Sequence, residues 1–292
     1  MSEFAIAGVQ MEILFGHDNL PIMASRLDIL MSRFPWVEMV VFSELAAYGA
    51  SLAHAQEIPG PAEEAFREMA RKHGVWLLPG SIFEKSGDRI YNTATVYDPE
   101  GNVVGRHRKL FPFRPYEEGV AGGDSFFVFD VPDVGRFGVS ICYDMWFPET
   151  TRTLASMGAE VILHPSLTNT IDREIELAIA RASAAMNQVF FIDINGVGAG
   201  GYGRSIMVRP TGNVIHVAGT GQELIPVDVN LDAARRARRR GLFGLGQPLK
   251  SFRDREVDFE LYDRSKPQPY LESLGPLVVP DREQIRAARK RK

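Results

Sequence analysis

Residues 138–149 read GVSICYDMWFPE and predict a buried strand that turns directly into a helix. Cys142, the one cysteine of the chain, lies at this strand-to-helix turn. Such a turn exposes a side chain at the end of a sheet and directs backbone N–H groups to one point, as a nucleophile and its oxyanion require. A free thiol with a pKa of about 8.5 is mostly protonated at neutral pH, so it needs a base or a cation beside it to react. A lone cysteine is also commonly a small buried apolar residue, and its position alone favours neither reading.

The composition is that of a folded enzyme. The chain has 292 residues, 33 Lys and Arg against 37 Asp and Glu, and a hydrophobic content of 45%. These values exclude a disordered, collagen-like or coiled-coil protein. The net charge of -4 gives no general attraction to nucleic acid or to an anionic membrane surface. We therefore expect small molecules or other protein chains as partners.

The sequence predicts a cytoplasmic protein that needs no metal or organic cofactor. Its longest apolar runs are far shorter than the roughly 20 residues that span a bilayer. The first residues, MSEFAIAGVQ, lack the basic start and the cleavage site of a secretory signal. A single cysteine permits neither an internal disulfide nor a cysteine-based zinc site, and the six histidines show no metalloprotease spacing.

Short apolar segments alternate with amphipathic segments along the first 230 residues. The predicted elements include strands at 4–9, 36–43 and 75–83, helices at 61–72 and 172–186, and hairpin turns at 98–102 and 209–214. Strands separated by helices, with hairpins interleaved, indicate mixed sheets covered by helices instead of one doubly wound parallel sheet. The predicted fold class is an α/β sandwich.

The composition changes after Leu231. Residues 235–240 form the basic run RRARRR, and residues 241–292 contain five prolines with little periodicity. We expect residues 1–230 to form the main domain and residues 231–292 an extension that packs on it or on a neighbouring subunit. A basic run of this length is more often a solvated helix face or a subunit contact than a nucleic-acid site.

Two further ionisable residues follow predicted strands. Glu44 ends an apolar segment, where a carboxylate is either solvated or buried with a raised pKa that suits a general base. Lys109 ends another strand and enters a long loop at 109–124, and long loops in compact domains are usually functional. Taken singly, each residue is more simply a surface charge. Taken with Cys142, they supply a base, a cation and a nucleophile, each at the end of a strand.

On these residues the chain resembles the nitrilase superfamily, the carbon–nitrogen hydrolases. The resemblance extends from the first strand to about Asp228 and depends on three motifs in the family's order: FSEL at 42–45, RKLF at 108–111 and SICYD at 140–144. It implies a four-layer αββα sandwich of two mixed sheets. It also implies a homodimer or higher homo-oligomer that packs through the helices covering the sheets.

The same resemblance implies the roles of the residues. Cys142 would form an acyl-enzyme, Glu44 would act as general base and then acid, and Lys109 would stabilise the tetrahedral intermediate. The backbone N–H of Tyr143 would help to bind the oxyanion. These roles fit the chemistry of the side chains, since a thiol needs a base and a developing oxyanion needs donors.

A second carboxylate is expected in the loop that follows the lysine. Amidases of the superfamily often carry it in a Pro-x-Glu-Gly stretch, and here residues 115–119 read PYEEG. Glu117 is therefore the predicted second carboxylate, with Glu118 as the competing choice.

The residues around the nucleophile are similar to those of the amidase and carbamoylase branches. Nitrilases proper usually carry Cys-Trp-Glu, whereas this chain carries Cys142-Tyr143-Asp144. The resemblance therefore implies a Cys-dependent amidase that converts a small amide to a carboxylic acid and ammonia. An N-carbamoyl amine hydrolase and a nitrilase with the same residues are the nearest alternatives. A non-catalytic binding or scaffolding member of the family is the alternative from another class.

Five residues near strand ends or near the nucleophile are predicted to bind the substrate: Tyr48, Tyr143, Trp146, Asn169 and Tyr202. The stretch 196–201, GVGAGG, matches a dinucleotide-binding pattern. The residues after it predict a strand and a hairpin, not the helix whose N-terminus would hold a pyrophosphate. We interpret it as a loop near the pocket.

Overall fold

The strands of the molecule form two mixed sheets, each covered by helices on its outer face. The structure, a computed structural model, describes residues 3–263 and 265–279. The first sheet is built from β1 Glu3–Gln10, β2 Met39–Phe42, β3 Gln56–Glu57, β4 Trp76–Leu78, β5 Ile82–Ser86, β6 Arg89–Tyr97, β7 Val103–Arg108, β8 Val120–Ala121 and β15 Glu223–Asn230. The second sheet is built from β9 Phe127–Val131, β10 Gly135–Val139, β11 Val161–Ser166, β12 Phe190–Asn195, β13 Ile206–Val208 and β14 Val214–Val217. The helices are α1 Leu20–Arg33, α2 Pro61–His73, α3 Pro148–Ser156, α4 Arg173–Asn187, α5 Asp232–Arg240, α6 Pro248–Asp254 and α7 Pro269–Glu272.

Parallel strands occupy the centre of each sheet. In the first sheet the order is β15-β1-β2-β4-β6-β5-β3, with β7 and β8 also paired to β6. In the second sheet the order is β14-β13-β12-β11-β10-β9. β1, β2 and β4 run parallel, as do β10, β11 and β12, while β15 and β9 pair antiparallel with their neighbours. The parallel strands therefore bring several carboxyl ends to one edge of each sheet.

Three apolar clusters define four layers. Alternate residues of both sheets meet in the central cluster, which includes Ile6 of β1 and Val139 of β10. The opposite face of the first sheet packs on α1 and α2, and that of the second sheet packs on α3 and α4. Each covering helix buries residues at helical spacing, such as Met23, Leu27 and Leu30 of α1. The predicted αββα sandwich is confirmed.

The prediction of one strand at 75–83 is wrong. The chain forms β4 and β5 there and breaks between them at Pro79, Gly80 and Ser81. Gly80 has a φ of 82°, and a Cβ at this position would lie 1.8 Å from the carbonyl oxygen of Ser43. Only glycine fits such a close approach, which brings this turn against the backbone just before Glu44.

The first part of the extension packs on the second sheet and its helices. Ala234 and Ala237 of α5 are buried, and Arg235 donates to the carboxylate of Glu160 at 2.7 Å. Further along, the hydroxyl of Tyr262 donates to Glu149 of α3 at 2.8 Å. Residues 264 and 280–292 of the predicted extension lie outside the described residues, as do residues 1–2 of the main domain. The domain boundary at residue 230 and a contact with a neighbouring subunit stay predictions.

Among the helices of the described part of the chain, none combines the length and the apolar character that crossing a bilayer requires. The cytoplasmic location expected from the sequence stays a prediction.

Candidate active site

Cys142 begins a 3-10 turn, Cys142–Trp146, that follows β10. Its φ of 45° lies in the left-handed region, which non-glycine residues rarely adopt. The Asp144 carboxylate holds this turn, since it accepts the backbone N–H groups of Ile141 at 3.0 Å and of Phe111 at 2.9 Å. The N–H of Tyr143 is at the second position of the turn, where helix geometry offers no acceptor inside the helix.

Glu44, Lys109 and Glu117 form one ion cluster, in which Glu44 and Lys109 are buried and Glu117 is half-buried. The Lys109 ammonium lies 2.9 Å from Oε1 of Glu44 and 2.9 Å from Oε2 of Glu117. Asn92 of β6 donates a further hydrogen bond to Oε1 of Glu44 at 2.8 Å. Of the two adjacent glutamates, Glu117 is in the cluster and Glu118 is exposed.

The cluster is assembled by the ends of three elements. Glu44 follows β2, and its N–H donates to the carbonyl oxygen of Ser166 at the end of β11. This bond joins the edge of the first sheet to the edge of the second. Lys109 follows β7, and its N–H donates to the carbonyl oxygen of Asn92 at 2.8 Å. The loop after Lys109 then brings Glu117 back to the lysine. The Glu117 carboxylate accepts a hydrogen bond from the N–H of Phe113.

Burial determines the protonation of the site. Burial raises the pKa of Glu44, and the neighbouring Lys109 ammonium only partly opposes this effect. Burial also raises the pKa of the Cys142 thiol well above its ordinary value, and the negative charge of Glu44 adds to the rise. For Lys109, burial opposes the charged form, but the carboxylates beside it raise its pKa well above the ordinary value. At neutral pH the site therefore holds a protonated thiol, a charged lysine and a carboxylate that takes up a proton more readily than an exposed one.

A second buried ion cluster lies next to Cys142. Sγ of Cys142 is 3.9 Å from the hydroxyl of Thr168, and that hydroxyl is 3.1 Å from Oε1 of Glu176. Glu176 is bonded to the guanidinium of Arg173 at 2.9 Å, and Arg173 forms an ion pair with Asp193 at 2.8 Å. The nucleophile is thus one hydroxyl group away from a buried carboxylate that is not part of the Glu44 cluster.

A cavity of about 320 Å³ opens onto Cys142. Glu44 and Glu117 line it together with apolar and aromatic side chains, including those of Phe113 and Leu167. Three of the predicted substrate-binding residues line it as well: Tyr143, Trp146 and Asn169. The volume fits a small organic molecule.

The structure does not bring Tyr48 and Tyr202 to the cavity wall. Among the described residues that line the cavity, neither tyrosine is found. The ring of Tyr48 instead stacks on His54, with 5.0 Å between the ring centroids. Tyr202 is half exposed, and its backbone N–H donates to the carbonyl oxygen of Thr168. The glycine-rich loop before Tyr202 does reach the cavity, through Ala199 and Gly200.

Sequence reasoning missed four polar residues of the site: Asn92, Thr168, Arg173 and Glu176. Arg173 and Glu176 lie on the buried face of α4, where they precede Leu177 and Ala180 at helical spacing. Charged residues on the apolar face of a helix are a signal that the sequence contains, because buried charges are rare unless they are paired. Asn92 and Thr168 carry no such signal.

Within the described residues, no group of three or more His, Cys, Asp or Glu side chains is placed to hold a metal ion.

Comparison with known proteins relates this chain to one enzyme family. The family model for carbon–nitrogen hydrolases matches residues 6–239. An omega-amidase of Xenopus laevis, NIT2-B, is 34% identical over 194 residues, which cover 61% of this chain and 70% of the relative. The omega-amidase NIT2 of Homo sapiens is 28% identical over 237 residues, which cover 75% of this chain and 83% of the relative.

A solved structure is similar in fold. The structure of Saccharomyces cerevisiae Nit3, a member of branch 10 of the nitrilase superfamily, superposes with a TM-score of 0.75 at 27% identity. The match covers 82% of this chain and 94% of that protein.

Proposed function

Since the chain belongs to the carbon–nitrogen hydrolase family, we propose that it hydrolyses a small amide to a carboxylic acid and ammonia through a thioester on Cys142. One observation carries this proposal. The cavity that exposes Cys142 also exposes Glu44 and Glu117, and both carboxylates are bonded to the ammonium of Lys109. A nucleophile and two carboxylates thus line one cavity, and the buried ammonium of Lys109 is bonded to both carboxylates.

The first half of the reaction forms the thioester. Glu44 takes the proton from the Cys142 thiol, and the sulfur attacks the amide carbonyl carbon as the C–S bond forms. The carbonyl oxygen gains the negative charge, which the Lys109 ammonium and the N–H of Tyr143 stabilise. The C–N bond then breaks, and Glu44 gives its proton to the departing nitrogen, which leaves as ammonia.

The second half hydrolyses the thioester. Glu44, again a carboxylate, takes a proton from a water molecule that attacks the acyl carbon. The C–S bond breaks, the carboxylic acid leaves, and Glu44 returns the proton to the sulfur. The raised pKa of Glu44 suits this alternation, because a carboxyl group that must both accept and release protons works best near the ambient pH.

Glu117 holds Lys109 in place. Its carboxylate accepts from the Lys109 ammonium and from the N–H of Phe113, so it fixes the lysine relative to the loop. The exposed Glu118 makes no such bond in the described structure, which supports Glu117 as the second carboxylate.

Two observations favour an amide as the substrate. The nucleophile is followed by Tyr143 and Asp144, as in the amidase branch, and the relatives reported above are named omega-amidases. The cavity volume of about 320 Å³ supports a small substrate.

The proposal is tested by ammonia release from short aliphatic amides, matching nitriles and N-carbamoyl amines. We expect release from at least one amide, and a loss of at least about a thousandfold in Cys142→Ala. Glu118→Gln serves as the matched control, since it removes a nearby exposed carboxylate and should retain activity. Turnover confined to nitriles or N-carbamoyl amines would contradict the amidase assignment. If the folded protein released ammonia from none of these compounds, the result would contradict the proposal that it is an enzyme and would favour a binding protein.

A further inference from the structure

The cavity beside Cys142 carries an excess of negative charge. Four carboxylates line it: Glu44, Glu117, Asp172 and Glu176. Over the part of the chain that the structure describes, the lining residues include no lysine, arginine or histidine. The two basic residues bonded to these carboxylates, Lys109 and Arg173, are each 1% exposed in their side chains.

Glu176 is held rigidly against the cavity. Its Oε1 accepts hydrogen bonds from Thr168 at 3.1 Å and from the indole of Trp146 at 3.4 Å. Its Oε2 accepts from the Arg173 guanidinium at 2.9 Å. Burial raises the pKa of Glu176, while the guanidinium favours the charged form. A carboxylate with these three donors presents its charge at a fixed point next to the nucleophile.

The Arg173 guanidinium is buried and is bonded to groups of the protein itself. It contacts Glu176 and Asp193, and it also donates to the backbone carbonyl oxygens of Gly203 at 3.2 Å and Arg204 at 2.9 Å. Two carboxylates thus share one positive charge. In the first cluster as well, two carboxylates, those of Glu44 and Glu117, share one positive charge, the ammonium of Lys109.

With its two carboxylates ionised, each ion cluster carries one negative charge in excess, and Cys142 lies close to both clusters. Asp172 adds a third negative charge, at a half-buried position on the cavity wall. A substrate carboxylate that enters this volume would lose its hydration and find no free cation to pair with. An ammonium group would gain a favourable interaction in the same place, since charges act strongly in a site of low dielectric.

We propose that the cavity selects amides by the charge at the end remote from the amide group, and that Glu176 is the residue that determines this specificity. Amides with a remote ammonium group are preferred, uncharged amides come next, and amides with a remote carboxylate are disfavoured. Glu176 is one hydroxyl group from the sulfur, so an acyl chain of a few atoms reaches it. This inference rests on the proposed amidase function and names the chemical class of its substrate.

The test uses three small amides that share the same two-methylene chain and differ only in the remote group that it carries. They are 3-aminopropanamide with an ammonium, butanamide with a methyl group, and succinamate with a carboxylate. We expect kcat/KM to fall in that order, with about a hundredfold between the first and the last. Equal values for the three amides, or a preference for succinamate, would overturn the inference.

Substitutions then assign the effect to Glu176. Glu176→Gln keeps the shape and should reduce the ratio between 3-aminopropanamide and succinamate by about tenfold. Asp172→Asn, which disturbs no buried ion pair, should reduce it by a smaller factor. The matched control Glu118→Gln should leave the ratio unchanged. If Glu176 were only structural, Glu176→Gln would lower all three kcat/KM values by one factor and leave the ratio intact.

A second readout does not depend on amidase activity. Since Cys142 is the one cysteine, its alkylation by neutral iodoacetamide and anionic iodoacetate reports directly on the charge of the cavity. Relative to a small uncharged thiol, we expect the protein to disfavour iodoacetate by about tenfold or more, and Glu176→Gln to reduce this discrimination. If the protein hydrolysed no amide but still disfavoured iodoacetate, the amidase proposal would be refuted and the charge selectivity of the cavity would stand. If the ratio of the alkylation rates with iodoacetamide and iodoacetate were the same for the protein as for the small thiol, the charge selectivity would be refuted.

Discussion

The reactivity of Cys142 depends on its immediate neighbours more than on the thiol itself. Burial raises the pKa of the thiol well above its ordinary value, so the resting site holds a thiol and not a thiolate. Glu44 must therefore remove the proton during the reaction, and Lys109 must stabilise the charge that follows. This arrangement differs from cysteine sites in which a histidinium keeps the thiolate formed in advance.

Substitution of each glutamate by glutamine in turn distinguishes the role of Glu117 from that of Glu118. Glu117→Gln removes one of the two carboxylates bonded to Lys109, so we expect kcat/KM for ammonia release to fall about a hundredfold. Glu118→Gln removes an exposed charge and should change it by less than about twofold. A larger loss of kcat/KM in Glu118→Gln than in Glu117→Gln would mean that the second carboxylate of the site is Glu118.

Residues that end strands within recognisable motifs can be picked out from the sequence. Cys142, Glu44 and Lys109 are of this kind, and the structure brings them together, while their catalytic roles stay predictions. For Glu176 the sequence signals only a charge on the apolar face of a helix, and for Asn92 it signals nothing, because tertiary packing alone supplies the partners of both residues. Asn92, for example, lies 48 residues from the carboxylate that it bonds.

At the scale of elements, Asp144 connects two parts of the site. Its carboxylate accepts from Ile141 in the nucleophile turn and from Phe111 in the loop after Lys109. It also lies 3.0 Å from Nε2 of His107 in β7. The strand that delivers the lysine and the turn that delivers the cysteine are therefore held in one geometry by a fully buried side chain.

Asp144→Asn should loosen this geometry. An amide cannot accept all three hydrogen bonds, because one of its two polar atoms is a donor. We expect kcat to fall by about ten- to a hundredfold with a smaller change in KM, since Asp144 positions other groups and does not line the cavity. Steady-state kinetics on a panel amide checks this, with a melting curve to verify folding. Unchanged kcat in a folded variant would show that the turn keeps its geometry without the carboxylate.

Element types were easier to predict than element ends. The apolar run at 75–83 predicted one strand, but the close packing of Gly80 on Ser43 breaks it in two. That contact joins residues far apart in the sequence, so periodicity alone could not reveal it.

At the scale of the whole molecule, a buried histidine couples stability to pH. Burial lowers the pKa of His164 to about 4, while Nδ1 lies 2.7 Å from the hydroxyl of Ser140. The unfolded chain binds a proton at this histidine near pH 6.5, and the folded chain binds it only near pH 4. The contribution is therefore fully present above about pH 6.5 and is lost as the pH falls towards 4.

His164→Asn should flatten this dependence. Between about pH 7 and about pH 5, we expect the free energy of unfolding of the parent chain to fall by about 2 kcal/mol more than that of the variant. Denaturant unfolding at both pH values measures the difference. His17→Asn, at an exposed histidine, is the matched control and should behave as the parent chain does. If the free energy of unfolding changed equally with pH in the parent chain and in His164→Asn, the pH dependence could not be assigned to His164.

The homo-oligomer stays a prediction, and the extension is where the described structure offers a surface for it. The extension exposes many large apolar side chains: Phe243, Leu245, Phe252, Phe259, Leu261, Tyr270, Leu274 and Leu277. Exposed apolar surface of this kind marks a protein contact. Light scattering at micromolar concentration should therefore give at least twice the chain mass of 32.5 kDa, and a monomer would contradict the prediction.

The proposed thioester on Cys142 can be detected by mass spectrometry of the acid-quenched reaction. The protein is mixed with excess of the best amide of the panel, quenched in acid within the first turnovers, and weighed intact. We expect an added mass equal to the amide less ammonia, located on the peptide that contains Cys142 and absent from Cys142→Ala. Release of ammonia by Cys142→Ala at the rate of the parent chain would contradict it.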